Sequence, residues 1–173
     1  MRVLTKFYVK ELTTPIGLLT VVMSEKGLAH VAFGAMNKVN LTARLTRFGI
    51  KPEWYELEED ESLVCEQLTE YLNGERHDFH VPIDLIGTPF QKKVWLALRT
   101  IRYGETKSYK EIAEMIGTPK AVRAVGGANN KNPLPIVIPC HRVIGSNGAM
   151  VGYGGGLPTK ERLLALETNM KIS

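Results

Sequence analysis

An apolar run from Pro135 to Ile144 is interrupted by the polar residues Cys140, His141 and Arg142. Apolar residues on both sides place this segment inside a fold, so a thiol, an imidazole and a guanidinium enter an apolar environment together. Burying such groups costs free energy unless they are paired. Two interpretations follow: a structural cysteine, a residue type that is often buried, or a set of side chains that carries out chemistry.

The patterning of the chain changes from strand-like to helical. β-rich stretches separated by turn signals predict strands over residues 3–33, and helical spacing of apolar residues predicts helices over 36–48 and 61–72. From residue 88 onward helical signals dominate. We therefore predict an α/β N-terminal domain with an antiparallel-rich sheet over residues 1–80, a linker over 81–87 and a mainly α domain over 88–173.

Helix-start signals define the organisation of the second domain. Thr88-Pro89 begins one helix, Ser108 with Glu111 forms a capping box for the next, and Thr118-Pro119 begins a third that runs to about Ala128. The last two predict a helix-turn-helix over about residues 109–128 in a winged-helix-like domain. Thr159 is predicted to cap the final helix.

The second helix of this pair displays mostly small residues and a single arginine, Arg123. A helix that reads the major groove displays long polar side chains. A helix of alanine and glycine can instead approach the minor groove, which is only about 6 Å wide, and such binding reads little sequence. Small residues also permit close packing of helices in a core, and the helix by itself favours neither interpretation.

Charge is unevenly distributed along the chain. Residues 1–87 hold 9 Lys/Arg and 13 Asp/Glu, a balance of −4, whereas residues 88–173 hold 13 and 5, a balance of +8. A strongly basic half favours a polyanionic partner, usually nucleic acid. The chain has two cysteines, no apolar run of membrane-spanning length and no signal-peptide pattern. These features predict a cytoplasmic protein with access to DNA and a reduced Cys140.

Cys140 needs a proton acceptor, because a thiol with a pKa of about 8.5 is only slightly ionised at neutral pH. A histidine can take the proton and a carboxylate can orient the histidine, which makes His141 and Glu167 the candidates. Adjacent side chains rarely face each other, so we expect Cys140 and His141 to communicate through a bound water or a tight turn. Asn132 is placed to fix the turn that presents Cys140.

A glycine-rich loop over residues 152–158 follows the cysteine segment. It lacks the Gly-Lys-Ser/Thr ending of a phosphate loop, and it suits a pocket wall where the backbone approaches a flat ligand. The spacing of Cys65, His77 and His80 matches no zinc pattern. We therefore predict no metal site and no cofactor.

The segment 138–144 resembles the signature of the methylated-DNA–protein-cysteine methyltransferases, also called alkylguanine-DNA alkyltransferases. The similarity covers residues 88–167, and residues 1–87 match only in layout, as the family's ribonuclease-H-like N-terminal domain would. The other matching positions are Ser108, Tyr109, residues 123–127, Asn132, Pro133, residues 153–156 and Glu167.

The resemblance implies direct-reversal DNA repair by a monomer bound to duplex DNA. The protein would bind the minor groove, flip 6-O-methylguanine out of the stack, fill the gap with Arg123 and pass the alkyl group irreversibly to Cys140. Tyr109 would contact the flipped base and help to neutralise the departing guanine. The resemblance assigns the base pocket to Val143, Tyr153, Gly154 and Gly155. It assigns further DNA contacts to Gln91, Thr118, Ala121 and Ser146.

One departure from the family and three other functions bear on this interpretation. Gly154 stands where some members have a serine, so any donation to the base oxygen must come from backbone N–H groups. A non-enzymatic sensor of alkylated bases is one alternative, but such relatives lack the cysteine. A cysteine hydrolase or a small DNA-binding regulator is another, and neither explains why Cys140, His141 and Glu167 occur together with the small-residue helix.

Overall fold

The computed structural model describes residues 2–58 and 63–168. The chain divides after Gly87 into two compact units.

The first unit is built on a four-stranded sheet in the order β3-β2-β1-β4. Neighbours β1–β2 and β2–β3 are antiparallel, and β4 is parallel to β1. The elements are β1 Val3–Thr14, β2 Gly17–Ser24, β3 Gly27–Phe33, α1 Lys38–Arg47, β4 Ile50–Glu56 and α2 Leu63–Leu72. This confirms the α/β domain with an antiparallel-rich sheet. The predicted helix over 61–72 begins at Glu61, which lies outside the described residues.

The segment predicted as a linker, residues 81–87, is bonded to edge strand β3. Leu28 N donates to Pro82 O at 2.9 Å, and Asp84 N donates to Leu28 O at 2.8 Å. Ile86 joins the apolar core of this unit beside Phe7, Val22 and Leu41. An edge strand presents unpaired backbone groups, and this segment satisfies two of them.

The second unit is mainly helical. Its elements are α3 Pro89–Leu98, β5 Lys107–Ser108, α4 Tyr109–Met115, α5 Val122–Asn130, β6 Val143–Ile144 and α6 Leu157–Glu167. The two-residue strands β5 and β6 pair in parallel, which the sequence did not predict. This pairing places the start of α4 beside the strand that leaves the cysteine segment.

Two helix starts are as predicted and two are not. The predicted capping box at Ser108 forms, with Glu111 N donating to Ser108 Oγ at 3.0 Å. The helix predicted to begin at Thr88-Pro89 also has a capping box, in which Gln91 N donates to Thr88 Oγ1 at 3.1 Å. The prediction that Thr118-Pro119 begins a helix is wrong. Residues 118–121 instead form a turn, closed by Ala121 N donating to Thr118 O at 2.9 Å, and α5 begins at Val122.

The last helix also begins earlier than predicted. Helix α6 starts at Leu157, so Thr159 lies within it and does not cap it. The N-cap position is Gly156, with φ of 88° and no side-chain cap. That backbone conformation strongly favours glycine, which explains why the loop before the helix ends on this residue.

The apolar run around the cysteine is buried, as predicted. Every residue from Pro133 to Val143 is buried. Trp95 of α3 is also fully buried, and its Nε1 donates to Ala128 O of α5 at 2.9 Å. The cysteine segment therefore lies within the core of the second unit.

Candidate active site

Cys140, His141 and Arg142 form a single 3-10 turn that presents the cysteine. Cys140 N donates to Ile138 O at 2.8 Å, and Arg142 N donates to Pro139 O at 3.0 Å. Cys140 is only 5% exposed and His141 is fully buried. The 3-10 turn therefore holds the thiol and the imidazole at consecutive positions of a buried segment.

Asn132 stabilises the segment that leads into this turn. Its Nδ2 donates to Ile138 O at 2.8 Å, and its Oδ1 accepts from Leu134 N at 3.0 Å. Its side chain also hydrogen-bonds the Cys140 thiol. One amide therefore contacts the backbone before the cysteine and the cysteine itself.

His141 and Glu167 meet although they are 26 residues apart. His141 Nε2 lies 2.7 Å from Glu167 Oε2, and both side chains are fully buried. The 3-10 turn supplies the histidine and the last residue of α6 supplies the glutamate. The structure thus brings together the histidine and the carboxylate that the sequence proposed for the activation of Cys140.

Arg142 is a third member of this cluster that sequence reasoning did not assign to the site. Its Nε donates to Glu167 Oε1 and its Nη2 to Glu167 Oε2, both at 2.8 Å. Its Nη1 donates to Ile101 O at 2.6 Å. The available signal was its place in an apolar run, since a guanidinium is buried there only if it has partners.

Lys160 is a second residue that the sequence interpretation missed. It is fully buried, and its Nζ donates to Val143 O at 2.6 Å, Val151 O at 3.0 Å and Gly152 O at 3.4 Å. It thus joins β6 to the glycine-rich loop. Lys160, Leu163 and Glu167 form the buried face of α6, a helical spacing that could have been noticed in the sequence.

The surroundings of Cys140, His141 and Glu167 favour a neutral cysteine, a neutral histidine and an ionised glutamate. Burial raises the pKa of the Cys140 thiol to about 11, while the hydrogen bond from Asn132 and the charge of Lys160 oppose this shift. Burial lowers the pKa of His141, although Glu167 acts in the opposite direction. Burial would raise the pKa of Glu167, but the hydrogen bonds from His141 and Arg142 outweigh it, and the pKa falls to about 2.

The residues assigned to the base pocket lie on three segments around Cys140. Val143 is fully buried directly after the 3-10 turn. Tyr109, the first residue of α4, donates from its hydroxyl to Val151 O at 3.0 Å. Burial raises the pKa of Tyr153 well above its ordinary value, and the nearby charges of Cys140 and Glu167 add to the shift. Burial also raises the pKa of Tyr109, and charge on Cys140 adds to that shift, so both tyrosine hydroxyls lie within electrostatic reach of the cysteine.

The two loop glycines assigned to the pocket differ in exposure. Gly154 is exposed and Gly155 is half-buried. A Cβ added at Gly154 would meet no atom within 4 Å. The space beside Gly154 is therefore open.

The residues assigned to DNA contact are mostly exposed. Thr118 lies in the turn before α5, half-buried Ala121 is the N-cap of that helix, and exposed Arg123 is its second residue. Ser146 is exposed in the loop after β6. The side chain of Gln91 makes a hydrogen bond within the protein: its Oε1 accepts from Thr88 N at 3.0 Å in the capping box of α3.

The two glycines of α5, Gly126 and Gly127, are not explained by packing within the second unit. Val125, Ala128 and Asn129 form its buried face. A Cβ added at Gly127 would meet nothing within 4 Å, and one at Gly126 would make only ordinary contact, 3.9 Å from Tyr109 Cδ1. Glycine is therefore not required for helix packing here, and the exposed face of α5 beside Arg123 carries small residues, among them Ala124 and Gly127.

The described residues contain no group of three His, Cys, Asp or Glu side chains that could hold a metal ion. Within the same ranges, no helix is long and apolar enough to cross a membrane.

Fold and site together define a class of protein. An α/β domain is followed by a helical domain, and the helical domain contains two helices joined by a turn, a buried cysteine and a His–Glu pair. Residues 7–85 match the family model of the 6-O-methylguanine DNA methyltransferase ribonuclease-like domain, and residues 89–169 match that of the same family's DNA binding domain. The chain belongs to the 6-O-methylguanine DNA methyltransferase family.

Relatives in bacteria and archaea agree with this assignment. The chain is 49% identical over 154 residues to a methylated-DNA–protein-cysteine methyltransferase of Mycolicibacterium paratuberculosis, covering 89% of this chain and 88% of the relative. It is 46% identical over 162 residues to one of Methanosarcina barkeri, covering 94% and 98%.

Solved structures show the same fold. The Mycobacterium tuberculosis O6-methylguanine methyltransferase superposes with a TM-score of 0.79 at 40% identity, covering 96% of each chain. The M. tuberculosis OGT in complex with DNA superposes with a TM-score of 0.75 at 40% identity, covering 97% of this chain and 94% of the other.

Proposed function

We propose that this protein repairs 6-O-methylguanine in duplex DNA by moving the methyl group irreversibly to Cys140, as a methylated-DNA–protein-cysteine methyltransferase. The observation that carries the proposal is the 3-10 turn. It holds a buried cysteine next to a histidine that contacts a buried carboxylate at 2.7 Å. Family membership supports the same chemistry.

The transfer is a displacement at a saturated carbon. Cys140 gives up its proton towards His141, whose Nε2 is held by Glu167, and the sulfur attacks the methyl carbon. The S–C bond forms as the C–O bond breaks, and the electron pair of the C–O bond stays on the guanine oxygen. The guanine gains one proton and the thiol loses one, so the number of protons is conserved. The product is a thioether, which water does not cleave as it cleaves a thioester, so each protein acts once.

Burial of the thiol has a consequence for this step. Its pKa of about 11 keeps Cys140 neutral while the site is empty of substrate. The thiolate therefore forms when the base is in place, where the donors around the leaving oxygen stabilise the developing charge. Asn132 and Lys160 favour the ionised sulfur and assist this change.

Helix α5 supplies the surface for DNA in this proposal. Its exposed small residues allow close approach to the minor groove, and Arg123 stands where it can fill the gap left by an extruded base. Thr118, Ala121 and Ser146 contact the DNA nearby. Gln91 approaches the DNA from the first turn of α3 while its side chain caps that helix.

The flipped guanine is received between α4 and the glycine-rich loop. Val143 and Tyr153 form the apolar walls, and backbone N–H groups near Gly154 and Gly155 donate to the guanine oxygen. Tyr109 exchanges its acceptor, Val151 O, for the base and donates to the guanine as it departs. We propose that the protein acts as a monomer, in the cytoplasm, where it can reach DNA.

Intact mass measurement tests the proposal directly. Incubation with a duplex that contains 6-O-methylguanine is expected to add one methyl group, located on Cys140, with no more than one per protein. Repeated turnover would contradict the single-use mechanism. Tight binding of the lesion with no mass change would favour the alternative of a non-enzymatic sensor.

A further inference from the structure

Asn129 contacts both the segment of the acceptor Cys140 and the hydroxyl of Tyr109. Neither the sequence motifs nor the proposed chemistry assigns Asn129 a role. It is the next-to-last residue of α5 and is only 2% exposed. Its Nδ2 donates to Cys140 O at 3.5 Å. The same side chain hydrogen-bonds the Tyr109 hydroxyl. One amide therefore connects the 3-10 turn with the start of α4.

The hydrogen bonds of this amide are asymmetric. An asparagine side chain has two N–H donors and one oxygen that accepts. Its donors are directed at Cys140 O and Tyr109, while no donor among residues 2–58 and 63–168 reaches Asn129 Oδ1, which is buried. A buried polar atom without a partner lowers stability. An asparagine is therefore a poor choice for packing alone at this position.

The bond to Tyr109 determines which way the tyrosine hydroxyl can act. A hydroxyl that accepts from Asn129 keeps its own O–H for donation, and in this structure it donates to Val151 O at 3.0 Å. Hydrogen bonds in a chain polarise one another, so a hydroxyl that accepts a bond becomes a stronger donor. Asn129 thus holds Tyr109 as a donor in a pocket where a leaving guanine needs one.

We propose that Asn129 is a positioning residue for methyl transfer, which acts by holding the Tyr109 hydroxyl as a hydrogen-bond donor and by tying it to the backbone of the cysteine turn. This inference rests on the proposed function. It separates two roles on α5: exposed residues of the helix meet DNA, and its buried Asn129 organises the chemistry.

A double-mutant cycle tests the inference. Single-turnover methyl transfer from a 6-O-methylguanine duplex is measured for wild type, Asn129→Leu, Tyr109→Phe and the double variant. Asn129→Leu is expected to slow transfer at saturating DNA by about tenfold, the rate equivalent of about 1.4 kcal/mol, and to leave the DNA concentration for half-maximal rate unchanged. In the Tyr109→Phe background, Asn129→Leu should have no further effect, because the hydroxyl it serves is gone.

Stability measurements separate positioning from packing. Asn129→Leu should unfold at the same temperature as wild type or higher, because removal of the unpaired buried oxygen offsets the loss of the two hydrogen bonds that the amide donates. The matched control is Gln67→Leu in the first unit. Gln67 is a buried amide whose oxygen accepts from His80 N at 2.9 Å and whose Nε2 donates to His80 O at 3.3 Å. Its loss should lower stability and leave the transfer rate unchanged.

The outcomes are distinct. Equal slowing by Asn129→Leu in the wild-type and Tyr109→Phe backgrounds would overturn the inference, as would an unchanged rate in the single variant. If Asn129→Leu does not fold, Asn129→Ala takes its place in the same cycle. If wild type itself gains no methyl group, the proposed function fails, which is separate from a failure of the Asn129 variants alone.

Discussion

Arg142 holds both oxygens of Glu167, with Nε bonded to Oε1 and Nη2 to Oε2 at 2.8 Å each. His141 Nε2 shares Oε2 at 2.7 Å. Such two-point pairing of a guanidinium with a carboxylate fixes orientation as well as charge. The carboxylate that orients His141 is thus itself oriented, and it remains ionised over the whole physiological range.

The low pKa of Glu167 makes stability depend on acid pH. Burial alone would raise that pKa, but the bonds from His141 and Arg142 lower it from 4.5 to about 2. The resulting stabilisation is complete above about pH 5 and is lost as the pH falls towards 2, because the unfolded carboxyl takes up its proton first. In urea unfolding, lowering the pH from 5 to 3 should decrease the free energy of unfolding of wild type by about 2 kcal/mol more than that of Glu167→Gln. Parallel pH profiles for the two proteins would contradict this.

Replacing the acceptor should separate chemistry from binding. Cys140→Ser keeps the size and shape of the side chain, and the turn rests on backbone bonds and on Asn132. We expect this variant to gain no methyl group, because serine is a far weaker nucleophile at neutral pH, and to bind lesion-containing duplex with wild-type affinity in a fluorescence anisotropy titration. Loss of both properties would indicate a structural cysteine.

Arg123→Ala should affect duplex repair selectively. Arg123 is exposed on α5, and an extruded base costs a few kcal/mol of stacking and pairing. We expect the transfer rate from duplex to fall at least tenfold, equivalent to about 1.4 kcal/mol, while transfer from free 6-O-methylguanine changes little. Arg162→Ala, an exposed arginine of α6, should leave both rates unchanged. Equal losses with both substrates would indicate a fold defect.

Gly127→Leu tests the approach of α5 to DNA without disturbing the core. A Cβ at this position meets open space, and glycine inside a helix costs up to about 1 kcal/mol relative to good helix formers. The melting temperature should therefore stay the same or rise, whereas DNA affinity should fall because a long side chain holds the helix away from a narrow groove. Unchanged affinity in the same anisotropy titration would show that this face does not meet DNA.

Much of the architecture could be predicted from local sequence. The strands over 3–33, the capping boxes at Thr88 and Ser108, and the burial of the apolar run around Cys140 depend on neighbouring residues. Local signals misled at the start of α5. Thr118-Pro119 has the composition of a helix start, but the chain forms one more turn there before α5.

The buried polar network required the fold. The sequence nominated His141 and Glu167 by chemistry and resemblance, but it assigned no site role to Arg142 or Lys160, and none to Asn129. The apolar run around Arg142 and the helical spacing of Lys160 with Leu163 and Glu167 indicated burial, but they did not indicate which partners the buried charges would have. Their partners are distant in sequence: Arg142 bonds Ile101 O, and Lys160 bonds Val143 O.

The sequence by itself indicated a buried thiol beside an imidazole in an apolar segment, and its resemblance to a known family indicated the kind of chemistry. Only the tertiary structure decided how that chemistry is controlled. The pKa of Cys140 and the orientation of Glu167 depend on burial and on charges from other elements. Burial and long-range pairing are properties of packing, so no local pattern specifies them.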